Sequence, residues 1–183
     1  MTLVIRLAAP ADGPALGEIH VAAWRAAYDG IMDATFLAQR DPVRVGERWS
    51  QILAGTADPN DGGPAPWSHL VAERDGAVVA MAAVGPGRDA GPGFPPAQLW
   101  MLNAHPEVFG TGAATALHAE AIARLGDHGA ERAYLWVARD NPRARRFYER
   151  EGWTADVVEH VEELGGALVA EVRYVRELGA RSQ

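Results

Sequence analysis

The sequence contains no cysteine and no lysine. Without cysteine there is no disulfide, no thiolate metal site and no cysteine nucleophile. Without lysine, all seventeen basic residues are arginine. Beside so much alanine and glycine, that is a compositional bias rather than a functional signal. Positive charge is itself scarce: 17 basic against 24 acidic residues leave a net charge of −7. Nucleic acid demands a basic surface, so it is not an expected partner. No apolar run is long enough to span a bilayer, and the opening "MTLVIRLAAPADG" lacks a small-residue cleavage pattern. No membrane partner is expected, and the expected location is cytoplasmic.

What remains is ordinary for a globular chain. The 183 residues, 48% hydrophobic and 22% charged, suit one domain over 1–183. Leu3 to Leu7 alternates as a strand. Pro10, Asp12 and Pro14 open a helix whose stripe is Leu16, Ile19, Ala23 and Ala27, ending near Gly30. A second helical region covers Ala34 to Ala54, with a break near Asp41-Pro42. Two segments rich in Gly and Pro, Gly55 to Pro66 and Gly85 to Pro96, read as loops. Between them, His69 to Glu73 and Ala77 to Val84 flank an Asp-Gly hairpin turn. Gln98 to Ala104 reads as a central strand, Gly112 to Gly129 as a helix and Ala133 to Val137 as a strand. Asn141 to Arg150 reads as a helix. Trp153 to Val161 and Ala167 to Leu178 read as strands joined at Gly165-Gly166. The fold class is therefore α/β: a mixed sheet of about seven strands flanked by about four helices.

Two segments carry chemistry. In "LNAHPEVFGTGAATALHAEAI" a buried strand passes through a loop with Gly110 and Gly112 straight into a long helix. Glycine lets backbone approach a ligand, and the first helical turn offers free amides and a positive dipole end. Together they suit a phosphate. The loop is not a Walker motif, since no Lys-Ser/Thr follows, and the third glycine of a dinucleotide fingerprint is missing. In "ARDNPRARRFYEREGW", Asn141 caps and Pro142 opens a helix. Ala144 and Tyr148, four apart, share a face. Five arginines stand against Asp140 and Glu149 between 139 and 150, a reversal of sign in an acidic protein.

Together these segments resemble the GCN5-related N-acetyltransferase (GNAT) superfamily. The first is similar to its central strand and pyrophosphate loop, Q/R-x-x-G-x-G/A. The second is similar to N-x-x-A-x-x-F-Y-x-R/K-x-G-F/W, and "IRLAAPADGPALGEIHVAAWRAAYDGI" resembles the family's first strand and helix. The resemblance implies acetyl-CoA as acyl-donor substrate and no metal. Leu102, Asn103 and Ala104 would bond the pantetheine arm through their backbone. Phe109, Gly110, Thr111, Gly112, Ala113 and Ala114 would hold the pyrophosphate through amides. Asn141 would touch the pantetheine, Ala144 would leave it room, and Arg150 would sit near the nucleotide phosphates. Tyr148 would be the general acid that protonates the departing thiolate. The sequence departs from the pattern at Phe109, which cannot donate a hydrogen bond, and at Thr111, a position often basic in relatives.

The implied reaction is direct acetyl transfer to a primary amine of a small molecule or peptide. No general base is identified: Gln98 cannot serve, and His105, Glu73, Asp140 and Glu162 are candidates. Trp24, Tyr28, Phe36 and Trp49 either line an acceptor pocket or form core, and Asp29, Asp33, Glu159, Glu162 and Glu163 would suit a cationic amine. A non-catalytic acyl-CoA-binding regulatory module on the same fold, or a nucleotide binder, is the alternative. A homodimer is compatible with an open mixed sheet.

Overall fold

The protein is described by a computed structural model over residues 2–59, 64–89 and 93–179. The chain runs β1 (Leu3–Leu7), α1 (Gly13–Tyr28), α2 (Ala34–Gln39), α3 (Pro42–Leu53), β2 (Ser68–Arg74), β3 (Ala77–Pro86) and β4 (Ala97–Ala104). It continues through α4 (Ala113–Asp127), β5 (Arg132–Ala138), α5 (Pro142–Arg150), β6 (Thr154–Leu164) and β7 (Ala167–Glu177). Among the described residues the strands form one seven-stranded sheet in the order β1-β2-β3-β4-β5-β7-β6. Only β4 and β5 are parallel neighbours.

The expected elements are present, with one subdivision. The region 34–54 is two helices, α2 and α3, so five α-helices flank the sheet among the described residues. Asp41, held extended ahead of Pro42 at φ −90° and ψ 113°, separates them, and its carboxylate accepts the Val43 amide. Asp75 and Gly76 turn β2 into β3 with φ of 50° and 86°, a hairpin geometry that favours such a pair. Parts of the two loops read from the sequence, residues 60–63 and 90–92, lie outside the described residues.

Alternation along the strands builds a core on each face of the sheet. Leu70, Ala72, Ala80 and Ala82 point to α4, where Leu117, Ala121 and Leu125 cover them. Val71 and Met81 point to the opposite face and meet Leu16 and Ile19 of α1 and Trp49 of α3. There α1 and α3 approach at glycines: a Cβ on Gly17 would stand 2.1 Å from the Pro42 carbonyl oxygen. None of the described helices is long and apolar enough to cross a membrane.

The topology makes an opening at the centre of the sheet. β4 and β5 pair only at Ala97↔Ala133 and Gln98↔Tyr134. Beyond Gln98 the register of β4 against β3 shifts: Val84 faces Leu99 and Ala83 faces Met101, leaving Trp100 as an extra residue. Such a bulge bends the strand that carries it. β5 meanwhile stays paired with β7 along its whole length. The two central strands therefore part, and among the described residues no strand pairs with the β5-facing edge of β4 from Leu99 to Ala104.

Candidate active site

The gap between β4 and β5 is a through-sheet cleft of about 1070 Å³. That is the top of the usual range for ligand sites, roughly 300–1,000 Å³, so it has room for two reactants together. One mouth opens between α4 and α5, and the other lies against α1 and the β6–β7 hairpin.

The first mouth is built from backbone. β4 ends in a short 3-10 turn, Pro106–Val108, and Gly110 and Gly112 follow at φ 74° and 87°. Left-handed backbone of this kind is natural only to glycine. A Cβ on either residue would meet nothing within 4 Å, so both face open space. Among the described residues no backbone acceptor meets their amides. Gly112 caps α4, whose first-turn amides have no partner within the helix. This arrangement fits an anionic ligand without help from any side chain of the loop.

The sequence-derived candidates are brought to this cleft in two ways. Leu102, Asn103, Ala104, Phe109, Gly110, Gly112 and Ala114 line it from β4 and the loop; Asn141, Ala144, Tyr148 and Arg150 line it from α5. Ala113 and Thr111 do not. The Ala113 side chain is buried in the core. The Thr111 hydroxyl donates to the Val108 carbonyl at 2.7 Å and accepts from Arg74 at 2.5 Å. Asn141 both lines the cleft and caps α5, its side-chain oxygen accepting the Ala144 amide at 3.0 Å. Arg150 stands 3.8 Å from the Glu151 carboxylate.

Tyr148 lies deep in the cleft, 9% exposed and set against Phe147 and Trp153. Among the described residues its hydroxyl makes no hydrogen bond. Burial pushes its pKa up, and Tyr28, across the sheet, adds to the shift.

The second mouth is aromatic and acidic. Trp24 and Tyr28 of α1 line it, with ring centroids 4.9 Å apart. Trp136 of β5 faces them, its indole donating to Asp89 at 2.9 Å. Glu171 of β7 reaches the His160 ring nitrogen Nε2 at 3.1 Å, and that ring lies 3.9 Å from the Trp136 ring. Burial raises the Glu171 pKa above the ordinary carboxylate value, partly opposed by His160. Tyr28 is pushed up to about 12, first by burial and then by Glu171, against an opposing effect of Arg40.

Of the candidate bases read from the sequence, only Glu162 lines the cleft. Glu73 is paired with Arg6 at 2.9 Å. His105 caps the 3-10 turn, its Nδ1 accepting the Glu107 amide at 3.4 Å. Of the four aromatic candidates, Trp24 and Tyr28 line the second mouth. Trp49 belongs to the core beneath α1, and Phe36 packs over the β6–β7 turn. Glu171 and His160 were not singled out from the sequence. The available signal was a carboxylate between Ala170 and Val172, in the otherwise apolar first half of the last strand. Among the described residues no three of His, Cys, Asp and Glu gather as metal ligands would.

Comparison with known proteins places the chain in a family and gives its fold counterparts. The acetyltransferase (GNAT) family model matches residues 23–153. An uncharacterized N-acetyltransferase of Mycobacterium tuberculosis is 40% identical over 86 residues, 46% of this chain and 51% of that protein. The match thus spans about half the length of that relative. A probable N-acetyltransferase of the same organism is 29% identical over 154 residues, 83% of this chain and 80% of that one. The structure of YncA, a putative acetyltransferase from Salmonella typhimurium with its cofactor acetyl-CoA, has the same fold. The TM-score is 0.65 at 18% identity, covering 100% of this chain and 98% of that one. The chain belongs to the acetyltransferase (GNAT) family.

Proposed function

We propose that the protein is an acetyl-CoA-dependent N-acetyltransferase that acts directly on a primary amine of a small molecule or peptide. One observation carries the reading. The cleft joins a backbone anion cradle on one face of the sheet to an aromatic, acidic mouth on the other, with Tyr148 between them.

Bound acetyl-CoA supplies an activated acetyl thioester. The protein's own groups do the rest. The open β4 edge offers backbone donors and acceptors to an extended chain, as a strand edge does to a peptide. Leu102, Asn103 and Ala104 lie on that edge and orient the donor, and an amide at Asn103–Ala104 faces the charge that develops on the acetyl oxygen. Gly110, Gly112 and the first turn of α4 receive the diphosphate. At the other mouth the Glu171 carboxylate, with its raised pKa and its bond to His160, accepts the proton that the ammonium form of the acceptor must lose. The free amine then forms the new C–N bond as the C–S bond breaks.

The Tyr148 hydroxyl serves the departing sulfur. A phenol whose pKa is raised by burial stays protonated at neutral pH, whereas a free thiol ionises near 8.5. Tyr148 therefore donates a hydrogen bond to sulfur as charge builds there and gives up its proton only as the bond breaks. Two protons leave the ammonium in all: the first passes through Glu171 to solvent, and the second, shed by nitrogen as the C–N bond forms, replaces the one that Tyr148 gives to sulfur. Trp24, Tyr28 and Trp136, beside Glu162 and Glu171, suit an amine that arrives as a cation.

Titration calorimetry of the purified protein with acetyl-CoA, and with ATP and NAD as controls, tests the donor. Micromolar binding of acetyl-CoA alone is expected; preference for ATP or NAD would overturn the reading. In Tyr148→Phe, loss of acid assistance lowers kcat by roughly 10²-fold or more with little change in donor Kd. Unchanged turnover would remove Tyr148 from this role.

A further inference from the structure

We propose that Arg143, seated on the ring of Phe109, supplies the diphosphate of acetyl-CoA with the cation that the loop's own side chains lack. The inference rests on the acetyl-CoA reading above, and it concerns how this chain in particular holds the donor.

The loop from Phe109 to Ala114 contains no charged side chain. It can offer amides and a helix dipole, whose equivalent charge is roughly half an elementary charge, against the two negative charges of a diphosphate. Thr111 cannot turn inward without giving up its bonds to Val108 and Arg74. The missing charge must come from a neighbouring element, and α5 brings one to the same mouth. The Arg143 guanidinium carbon lies 3.7 Å from the Phe109 ring centroid, and both residues line the cleft beside Gly110 and Gly112.

A guanidinium stacked on a ring keeps its N–H edges free for bidentate bonds to oxyanions. Arg143 has no carboxylate within ion-pair distance among the described residues. Its neighbours are engaged elsewhere: Arg145 donates to the Tyr174 hydroxyl at 3.0 Å, Arg139 pairs with Glu159 at 3.7 Å and Arg150 with Glu151 at 3.8 Å. Burial lowers the Arg143 pKa, and no neighbour offsets that effect. A cation partly stripped of water, with no anion at hand and fixed at the edge of an anion cradle, is prepared for a ligand. The aromatic residue at 109, which removes a donor from the loop, becomes the platform that positions another. Arg146 also lines the cleft, but among the described residues it stacks on no ring of the loop.

The test measures binding rather than turnover. The parent protein, Arg143→Ala, Arg143→Lys, Arg146→Ala, Arg44→Ala and Phe109→Arg/Arg143→Ala are titrated calorimetrically with three probes. CoA carries the diphosphate and the 3′-phosphate, dephospho-CoA keeps only the diphosphate, and S-acetylpantetheine has neither. Arg143→Ala should raise Kd about tenfold for CoA and for dephospho-CoA, and leave S-acetylpantetheine unchanged. Arg143→Lys should keep part of the affinity, and Phe109→Arg should restore it in the Arg143→Ala background. Arg44→Ala removes a remote charge and should bind as the parent does, which separates the local effect from net charge.

Three results overturn the inference while leaving the acetyl-CoA reading intact. They are parent-like binding by Arg143→Ala, a loss confined to CoA, and a loss seen in Arg146→Ala but not in Arg143→Ala. Failure of the parent protein to bind any of the three probes overturns both.

Discussion

Acidification should loosen the joint between the two helices that form the donor mouth, and His118 is the group that responds. His118 lies on α4 with 2% of its surface exposed. Its Nε2 accepts the indole N–H of Trp153 at 2.8 Å. That bond places the neutral ring's proton on Nδ1, which lies 3.8 Å from the Glu151 carboxylate. Protonation would have to occur at Nε2, where the indole N–H already points. The Glu151 contact favours the charged ring, but burial outweighs it, and Arg176 adds to burial, so the pKa falls from 6.5 to about 4.

The folded protein therefore holds fewer protons at this site than the unfolded chain between pH 6.5 and 4. Stability is fully present above the unfolded pKa and is lost as the pH falls toward the folded one. For pKa values of 6.5 and about 4, the loss relative to neutral pH is about 2 kcal/mol at pH 5 and about 3 kcal/mol at pH 4. The consequence reaches the site because Trp153 packs on Tyr148 and His118 packs on Phe147.

Urea unfolding followed by circular dichroism at pH 7, 5 and 4 should be compared for the parent and His118→Gln. Glutamine can still accept from Trp153 but does not titrate. The difference in stability between the two should shift by about 3 kcal/mol toward the variant over this range. Parallel pH dependence in the two proteins would refute the assignment of this loss to His118.

Other perturbations separate chemistry from scaffold. On the proposed mechanism Glu171 works as a carboxylate, and its pKa is raised, so kcat/KM should rise with pH through that raised value. Glu171→Gln should flatten this limb and lower the rate by roughly 10²-fold or more, and an unchanged pH–rate profile would remove Glu171 as proton acceptor. Gly165 turns β6 into β7 at φ 57°, where a Cβ would stand 1.9 Å from the Phe36 ring. Gly165→Ala should cost about 1–3 kcal/mol, read as a lowered urea midpoint. Gly17→Ala forces a Cβ onto backbone of α3 and should lower thermal stability by a similar amount, about 1–3 kcal/mol, without changing donor Kd.

The legible parts of this site were those in which one segment performs the whole task. Asn141-Pro142 announces a helix start because cap and first turn are four consecutive residues, and Asn141 does cap Ala144. Gly110 and Gly112 announce an unusual backbone leading into a helix for the same reason, and both have positive φ. Spacing alone put Ala144 and Tyr148 on one helical face, and only the resemblance to the family pointed to Tyr148 as part of a site.

What escaped the sequence depends on pairing between distant segments. Glu171 meets His160 because a two-glycine turn sets the register of β6 against β7, and the pair reaches the cleft because β7 lies beside β5. Alternation along either strand says which residues share a face, but not which strand is its neighbour. The same limit explains Trp49: at helical spacing it could line a pocket or fill a core, and the Gly17–Pro42 contact that draws α3 onto α1 places it in the core.

Phe109 makes the point most sharply. Within its own segment it is a donor missing from the loop. Once α5 folds against that loop, the ring lies under an arginine 34 positions further along the chain (143 − 109). Whether such a departure weakens the site or relocates its charge is decided by tertiary contact alone. A side chain judged against a motif has therefore to be judged again beside the residues that the fold brings to it.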